Sequence, residues 1–334
     1  MLRRLLPYLL LALVGTAGIY TWNQSHILAA RIDPVANPAK NLSAARRPSL
    51  HRPPPPVTRL AFLTDLGQPY QVRINLLRST LATECSEPEI RALYQLLQQG
   101  AAKAEIPEHG YVIANDIMTQ ILSHETDPVR FAGNFTALLN DAHQPEVIRD
   151  YAVQYLAVWL NPRSAQATAN RLATPSPAIA AEVLQSLAAA ATDPALGQTS
   201  IPGTTLMMLV DLTRSASGVD CRQAIATLKP WLVHALEDGS SLSQSIRVSA
   251  VTAAGILAAD DFRPTLRKIA YQPNGSAALQ LPALASLGQS GEAADLPKLQ
   301  QLAARQPALA YAATDACRVL SARLHRESSP TLSQ

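Results

Sequence analysis

The sequence predicts an all-α protein: an α-solenoid of two-helix repeats with a period of about 31–33 residues, preceded by a transmembrane helix and a Pro-rich linker. Three observations support this fold class. Apolar residues make up 48% of the 334 residues and aromatic residues only 5%, a balance that favours helices over twisted sheets. Helix start signals recur from about residue 60 onward. Small and apolar residues recur at a fixed interval within the helices that follow.

The first predicted element is a membrane-spanning helix within residues 1–30. Arg3 and Arg4 open this segment, and no further charged side chain follows before Arg31. Crossing the hydrocarbon core takes roughly 20 helical residues, and Tyr20 and Trp22 lie where an interfacial aromatic anchor is expected. We therefore expect a single-pass signal anchor in the inner (cytoplasmic) membrane, with the body on the periplasmic, extracytoplasmic side.

A cleavable signal peptide is the alternative interpretation of the same segment. The most apolar part is short, and Gly15-Thr16-Ala17 places small residues at the spacing that signal peptidases require. The two interpretations predict different products, a retained anchor or a shortened mature chain.

A linker rich in Pro and Arg follows over residues 31–59, and it contains the run Pro53-Pro54-Pro55-Pro56. Consecutive prolines favour the polyproline II conformation, which extends by about 3.1 Å per residue. We expect a disordered, semi-stiff stalk between membrane and body. A ligand for an SH3-like domain is the sharper alternative for the proline run.

The charge distribution argues against a nucleic-acid partner. The segment from Met1 to Arg59 carries eight basic side chains and a single acidic one, Asp33, whereas residues 60–334 carry 20 basic and 24 acidic side chains. A slightly acidic body lacks the basic surface that binding to phosphate backbones requires.

The body begins near residue 60 with helices that have recognisable start signals. Ser86-Glu87-Pro88-Glu89 is a capping box, and Asp127-Pro128 and Ser176-Pro177 each place an N-cap side chain before a proline. Residues 147–160 form an amphipathic pattern, and two further helices are expected over 203–215 and 220–237.

A repeat becomes visible when these helices are aligned. Ala254, Ala285 and Ala316 are evenly spaced, and the offset between them also relates Leu156 to Leu187 and Ala152 to Val183. Two helices per unit at about this period are typical of an α-solenoid, in which no unit buries its apolar face alone.

The strongest resemblance to a known family lies in the sequence of the second helix of each repeat. Ile148–Ala152 and Ile246–Ala250 each place Arg after an apolar residue, and Leu156 and Ala254-Gly255 follow them at later helical positions. A looser version is Val129-Arg130 after the Asp127 cap. This pattern resembles HEAT repeats and the HEAT-like repeats of phycobilisome lyases. The resemblance extends over 245–322 and 127–191.

This resemblance divides the body into three segments and predicts which residues occupy equivalent positions in different repeats. Residues 60–126 share only the helical pattern and form a divergent N-terminal part of the solenoid, residues 127–325 are the HEAT-like repeats, and 326–334 are a polar tail. In the last two units the positions equivalent to Arg247 are predicted to be Ala278 and Leu309.

Known catalytic and metal-binding motifs are absent from the sequence. It contains no GxGxxG, GxxxxGK[ST], GxSxG or HExxH, and Cys85, Cys221 and Cys317 are too widely spaced for a CxxC pair or a zinc knuckle. His124-Glu125 resembles one of the His-Glu pairs of the iron-binding HEAT protein deoxyhypusine hydroxylase, but one pair cannot assemble that site. We expect His124 to be solvated and the protein to hold no metal or cofactor.

The candidate binding residues are Arg149, Asp150 and Gln154 on the polar side of the 147–160 helix. In HEAT repeats the arginine and the capping acid form ladders between neighbouring repeats. The resemblance therefore implies a structural role for Arg149, and the same applies to Arg130 and Arg247, while a contact with a partner on the concave surface is the alternative.

The sequence thus predicts a non-enzymatic, membrane-tethered scaffold or adaptor that binds a protein partner through its helical-repeat surface. Two alternatives remain open. One is an enzyme or enzyme-maturation factor of the HEAT-like lyase type without a recognisable motif, and the other is a purely structural envelope protein.

Overall fold

The computed structural model of the chain describes residues 56–82, 84–99, 107–161, 172–215 and 218–328, which all belong to one compact unit, Pro54–Gln334. The predicted anchor at 1–30 and the predicted linker up to residue 55 lie outside the described residues. Within the described ranges, no helix combines the length and apolar character needed to cross a membrane.

The described residues form 13 α-helices and contain no β-strand, so the prediction of an all-α protein is confirmed. Short 3-10 helices lie at Pro56–Leu63, Pro194–Leu196 and Ala293–Asp295. The α-helices are α1 (Tyr70–Thr80), α2 (Glu87–Gln98), α3 (Pro107–His124), α4 (Pro128–Asn140), α5 (Glu146–Leu160), α6 (Pro177–Thr192), α7 (Ile201–Arg214), α8 (Arg222–Leu236), α9 (Gln244–Leu257), α10 (Ala259–Tyr271), α11 (Ala277–Ser290), α12 (Leu296–Arg305) and α13 (Ala310–Ser328).

The helices are arranged in two rows. The odd-numbered helices form a continuous row, here called the odd row, in which each helix packs against the next one from α1 to α13. The even-numbered helices form the even row, and each one pairs with the odd-numbered helix that follows it. Within the even row, α4 packs on α6 and α6 on α8, whereas the other neighbours make little direct contact. This arrangement is consistent with a helical-repeat solenoid.

The predicted start signals act as helix caps. The Asp127 carboxylate accepts hydrogen bonds from the backbone N–H groups of Val129 and Arg130, and the Ser176 hydroxyl accepts one from Ile179. At α2, the Glu89 carboxylate accepts from the Ser86 backbone N–H at 2.8 Å. Each cap satisfies a donor that the first helical turn leaves unpaired, and each is followed by a proline that needs no partner.

The core lies between the two rows. Leu156 in α5 is fully buried, and in the neighbouring α4 the rings of Phe131 and Phe135 stack with centroids 4.4 Å apart. The indole of Trp159 meets Phe131 edge-on at 5.1 Å. The apolar face predicted over 147–160 therefore packs on α4, its partner in the helix pair.

The predicted period is correct only near the C-terminus. There α11 begins at Ala277 and α13 begins one predicted period later, at Ala310. The interval from α5 to α7 is much longer, because a long connection and a 3-10 helix separate the units. The offset that relates Leu156 to Leu187 joins α5 of the odd row to α6 of the even row, so these two residues are not equivalent. Apolar helices of similar length in both rows made the two rows indistinguishable by residue spacing.

A polar side chain at the fourth residue of an odd-row helix marks the true register. Arg149 Nε donates to the Leu139 carbonyl at 2.8 Å, and Arg247 donates to the carbonyls of Ala235 and Glu237. Gln280 Nε2 donates to the Gln272 carbonyl at 2.7 Å, and Arg73 reaches the Leu63 carbonyl at 3.2 Å. The equivalent of Arg247 in α11 is therefore Gln280, and the prediction of Ala278 is wrong.

The folded body extends beyond two predicted boundaries. Arg59, predicted to be in the linker, donates to the Thr80 carbonyl at 2.8 Å and lies 3.4 Å from the Glu89 carboxylate. At the other end, α13 continues to Ser328, into the predicted polar tail.

Candidate functional site

The solvent-facing side of the odd row is a candidate binding surface. Each odd-row helix packs against its two neighbours in the row and against its even-row partner, which leaves the fourth side open. We call this side, from α3 to α11, the odd-row face. Its exposed or half-buried side chains are mainly hydroxyl, amide and apolar groups, represented by Thr119, Tyr151, Gln154, Met207, Thr252 and Ala285.

The odd-row face is almost uncharged over α9 and α11. The two helices contain a single charged residue, Arg247, and its guanidinium is occupied by the carbonyls at the end of α8. Across this part of the face, Arg214 at the end of α7 donates to the Gln289 side chain of α11 at 2.6 Å. The bond passes over α9 and ties three consecutive units together.

Of the predicted binding residues, Asp150 and Gln154 lie together on the edge of α5 that faces α7. Gln154 Nε2 donates to one oxygen of the Asp150 carboxylate at 2.8 Å, and the Ser200 hydroxyl donates to the other at 3.1 Å. The Ser200 backbone N–H donates to Glu146 at 2.6 Å. Two acidic groups of α5 therefore stabilise the positive N-terminal end of α7.

Arg149 is placed apart from Asp150 and Gln154. Its guanidinium turns toward α4 and donates to a carbonyl in the last turn of that helix, at Leu139. This bond lies within one helix pair and does not run between neighbouring repeats, as a ladder would.

At the N-terminal end of the face, α3 and α5 are joined by a half-buried tyrosine, Tyr155. The Tyr155 hydroxyl donates to Asn115, with the backbone carbonyl at 2.9 Å, and lies 2.5 Å from the Thr119 hydroxyl. Burial raises the pKa of Tyr155 well above its ordinary value, so the group stays a neutral hydrogen-bonding residue. Its role is to fix the spacing of α3 and α5.

A buried carboxylate, Glu125, joins α2 to α4. Arg130 Nε and Nη2 donate to its two oxygens at 2.8 and 2.6 Å, and the Tyr94 hydroxyl donates at 3.1 Å. Arg130 also pairs with Glu87 on α2. Burial alone would raise the pKa of Glu125, but Arg130 and two backbone N–H groups hold it below its usual range. We call this arrangement the Glu125 clasp, and it is a ladder between repeats of the kind predicted for Arg130.

The structure corrects the prediction for His124. This residue ends α3 and is only 9% exposed, and Glu125 beside it is fully buried. The pair stands at the junction of two repeats because the chain passes directly from α3 into the Glu125 clasp. The prediction that His124 is solvated is therefore wrong.

A second clasp joins α10 to α12 and was missed in the sequence. Arg267 donates to both oxygens of the buried Asp295, at 2.7 and 2.8 Å, and Arg263 and Arg267 both pair with Glu292. Burial alone would raise the pKa of Asp295, but Arg267 holds it below its usual range. Arg263 and Arg267 stand four residues apart, on one face of α10, but their acidic partners in this clasp lie beyond the next helix, α11.

The titratable groups of the described residues do not converge on a deep cavity. A cavity of about 330 Å³ between α6 and α8 is lined by one titratable side chain, Asp220, which is fully exposed and paired with Arg222. Within the same ranges, no group of three His, Cys, Asp or Glu side chains is close enough to hold a metal ion. Burial raises the pKa of all three thiols, that of Cys85 to about 12, so none is an activated nucleophile.

Comparison of the chain with protein-family models, with curated proteins and with solved structures found no match.

Proposed function

We propose that this protein is a non-enzymatic scaffold or adaptor that binds a protein partner through the odd-row face. The observation that carries the proposal is the surface of α9 and α11, two helices whose one charged side chain, Arg247, is used internally. Arg214 of α7 reaches the end of this surface, where it bonds to Gln289. We also propose that the helix pairs are HEAT-like repeats, on the support of Arg149 and Arg247 at equivalent positions.

The composition of this face suits protein binding. The cores of protein interfaces are depleted in charged residues and enriched in Tyr and Met, while polar groups surround them. Tyr151 and Met207 are half-buried on the face, and Asp150 with Gln154 lies at its edge between α5 and α7. Of the predicted site residues, Asp150 and Gln154 lie at the edge of the face, whereas Arg149 bonds within its own helix pair.

The test places a charge on the face without changing the core. Ala285 on α11 is exposed on the odd-row face, and Ala304 on α12 is exposed in the even row. Ala285→Arg should abolish capture of the partner from detergent-solubilised membranes, because a charge without a counterpart is costly in the centre of an interface. Ala304→Arg is the matched control and should leave capture unchanged.

Two results would contradict the proposal. If both arginine variants retain the partner, the binding surface lies elsewhere. If a turnover activity is found that survives Ala285→Arg, the protein is an enzyme whose site is not on this face. Thermal unfolding of both variants must match the parent for either conclusion to hold.

We propose further that residues 1–30 tether the body to the inner membrane, with the Pro-rich segment as a stalk. The support is the stretch from Leu5 to Ala30, which carries no charged side chain behind Arg3 and Arg4. The protein should remain in the membrane pellet through carbonate washing, and deletion of residues 1–30 should release a folded body. A mature soluble chain that starts near Gly18 would show a cleaved signal peptide instead.

A further inference from the structure

The even row has three interfaces in which neighbouring helices make little direct contact, and they are bridged in different ways. Between α2 and α4 the bridge is the buried Glu125 clasp, and between α10 and α12 it is the buried Asp295 clasp. Between α8 and α10 an open groove of about 560 Å³ remains, with Ile225 on one wall and Ile256 at its base. This interface is therefore built unlike the other two.

Two exposed ion pairs cross the α8–α10 groove. Lys229 of α8 lies 2.5 Å from the Asp261 carboxylate of α10, and Lys268 of α10 lies 2.8 Å from Asp238, which follows α8. All four side chains are between 45% and 67% exposed. Ion pairs at such exposure contribute little to stability and are screened by salt, in contrast to a buried carboxylate bound by arginine.

Both helices of the α8–α10 interface contain an internal proline, Pro230 in α8 and Pro264 in α10. A proline removes one backbone hydrogen bond of its helix. It does not by itself prevent packing, because α11 contains Pro282 and still packs closely on its neighbours.

The odd row provides a tight contact directly beneath the groove. A Cβ atom on Gly255 of α9 would overlap the Ser286 side chain of α11, so these helices approach as closely as their backbones allow. Only Ala258 separates α9 from α10. The helix pairs α8–α9 and α10–α11 are therefore in close contact in the odd row, through α9 and α11, and in loose contact in the even row, through α8 and α10.

We propose that α8 and α10 form an adjustable joint, at which the even row opens and closes about the α9–α11 contact, and that Lys229–Asp261 and Lys268–Asp238 shift this equilibrium toward the closed form at low salt. The joint changes the curvature of the odd-row face at α9 and α11. The inference does not depend on which partner, if any, binds there.

Spin labels across the joint test the proposal in the full chain. Val233 on α8 and Gln272 after α10 are exposed and make no ion pair, so both are replaced by labelled cysteine after Cys85, Cys221 and Cys317 are replaced by alanine. Raising the ionic strength to about 1 M, where the Debye length is about 3 Å, should lengthen the mean label distance by about 2 Å or more. The double variant Lys229→Met and Lys268→Met should show the longer distance already at low salt.

A second label pair on Ala137 of α4 and Ala189 of α6 is the matched control, because these even-row helices pack directly on each other. Its distance should be the same at both ionic strengths. The proposal is overturned if the Val233–Gln272 label distance in the parent does not change with ionic strength. It is also overturned if the folded double variant keeps the parental distance at low salt, or if the distance of the control pair changes with salt by as much as that of Val233–Gln272. If the double variant does not fold by circular dichroism, the salt series on the parent decides the question.

Discussion

At the scale of the residue, four odd-row helices share a polar side chain that bonds to the end of the helix before them. The fourth residue of α1, α5, α9 and α11 is Arg73, Arg149, Arg247 or Gln280, and each donates to a carbonyl near the end of the preceding helix. The last turn of a helix leaves its carbonyls without backbone partners and carries the negative end of the helix dipole. A cation or an amide at this position donates a hydrogen bond to one of these carbonyls, and its positive charge or N–H group interacts favourably with the negative end of the dipole.

The first prediction concerns Arg149. Arg149→Ala should lower the free energy of unfolding by about 1–2 kcal/mol in a denaturant titration, because it removes a hydrogen bond from a charged donor to the end of α4. Arg149→Gln should recover part of the loss, since Gln280 makes the same kind of bond in α11.

Gln154→Ala is the matched control on the solvent side of α5. It should change stability by less than about 0.5 kcal/mol, as expected at a surface site. If Arg149→Ala is as stable as the parent but captures less partner, the alternative interpretation of this residue as a surface contact is correct.

At the scale of the element, the odd-row helices pack closely because small residues stand at their contacts. Gly255 lies against Ser286, and Gly288 lies against the backbone of Ala316. These contacts recur from unit to unit, and they explain why small residues gave the only visible repeat in the sequence.

Two Gly→Ala substitutions distinguish the effect of helix packing on stability from the effect of helix propensity. Gly255→Ala should destabilise the protein by about 1–3 kcal/mol, because the added methyl group overlaps Ser286. Gly133→Ala in α4 meets no atom within 4 Å and should stabilise by about 0.5–1 kcal/mol. Both are measured by thermal unfolding. A Gly255→Ala protein that is as stable as Gly133→Ala would show that α9 and α11 are not in close contact.

The clasps should make stability depend on pH in the acidic range. The pKa values of Glu125 and Asp295 are lower in the folded protein than in the unfolded chain, where carboxyl groups titrate near about 4. Their contribution is therefore complete above that range and is lost as the pH falls through the folded pKa values. Denaturant titrations between neutral pH and about pH 3 should show this loss.

Removal of one clasp should weaken the dependence of the free energy of unfolding on pH. Glu125→Gln should cost about 3 kcal/mol at neutral pH, because Arg130 is left without its buried counterion. The difference from the parent should shrink as the pH falls. Glu182→Gln, on the exposed side of α6, is the control and should leave the profile unchanged.

At the scale of the whole molecule, the sequence predicted the fold class because local signals are strong. Capping residues such as Asp127 and Ser176 and the amphipathic stripe of α5 are encoded within one helical turn or two. The pairing of helices into rows depends on contacts between distant residues, so the alignment of Leu156 with Leu187 crossed from one row to the other. The Asp295 clasp was missed for the same reason, since Arg267 and Asp295 are far apart in the chain.

The difference between local signals and contacts of distant residues also decided how much of the candidate site could be predicted. That Asp150 and Gln154 lie side by side could be predicted, because they stand one helical turn apart on α5. The proposed binding surface of α9 and α11 could not be predicted, because it depends on where Arg247 directs its side chain.

A row of repeats should also unfold locally. Leu156→Ala removes a fully buried side chain in α5 and should cost about 2–5 kcal/mol. Because most contacts join neighbouring units, native-state hydrogen exchange should speed up in α4 to α7, while α11 to α13 stay protected. Uniform loss of protection along the array would show a single cooperative unit instead.

The hydrogen bond between Arg214 and Gln289 has a consequence for the order in which the chain folds. Its two residues are 75 positions apart, whereas most contacts of the array join one helix to the next few. Local contacts form first because the entropy lost in closing a loop grows with its length. The bond can therefore close only after α9 has settled between α7 and α11, and a nascent chain completes it only when α11 has left the ribosome.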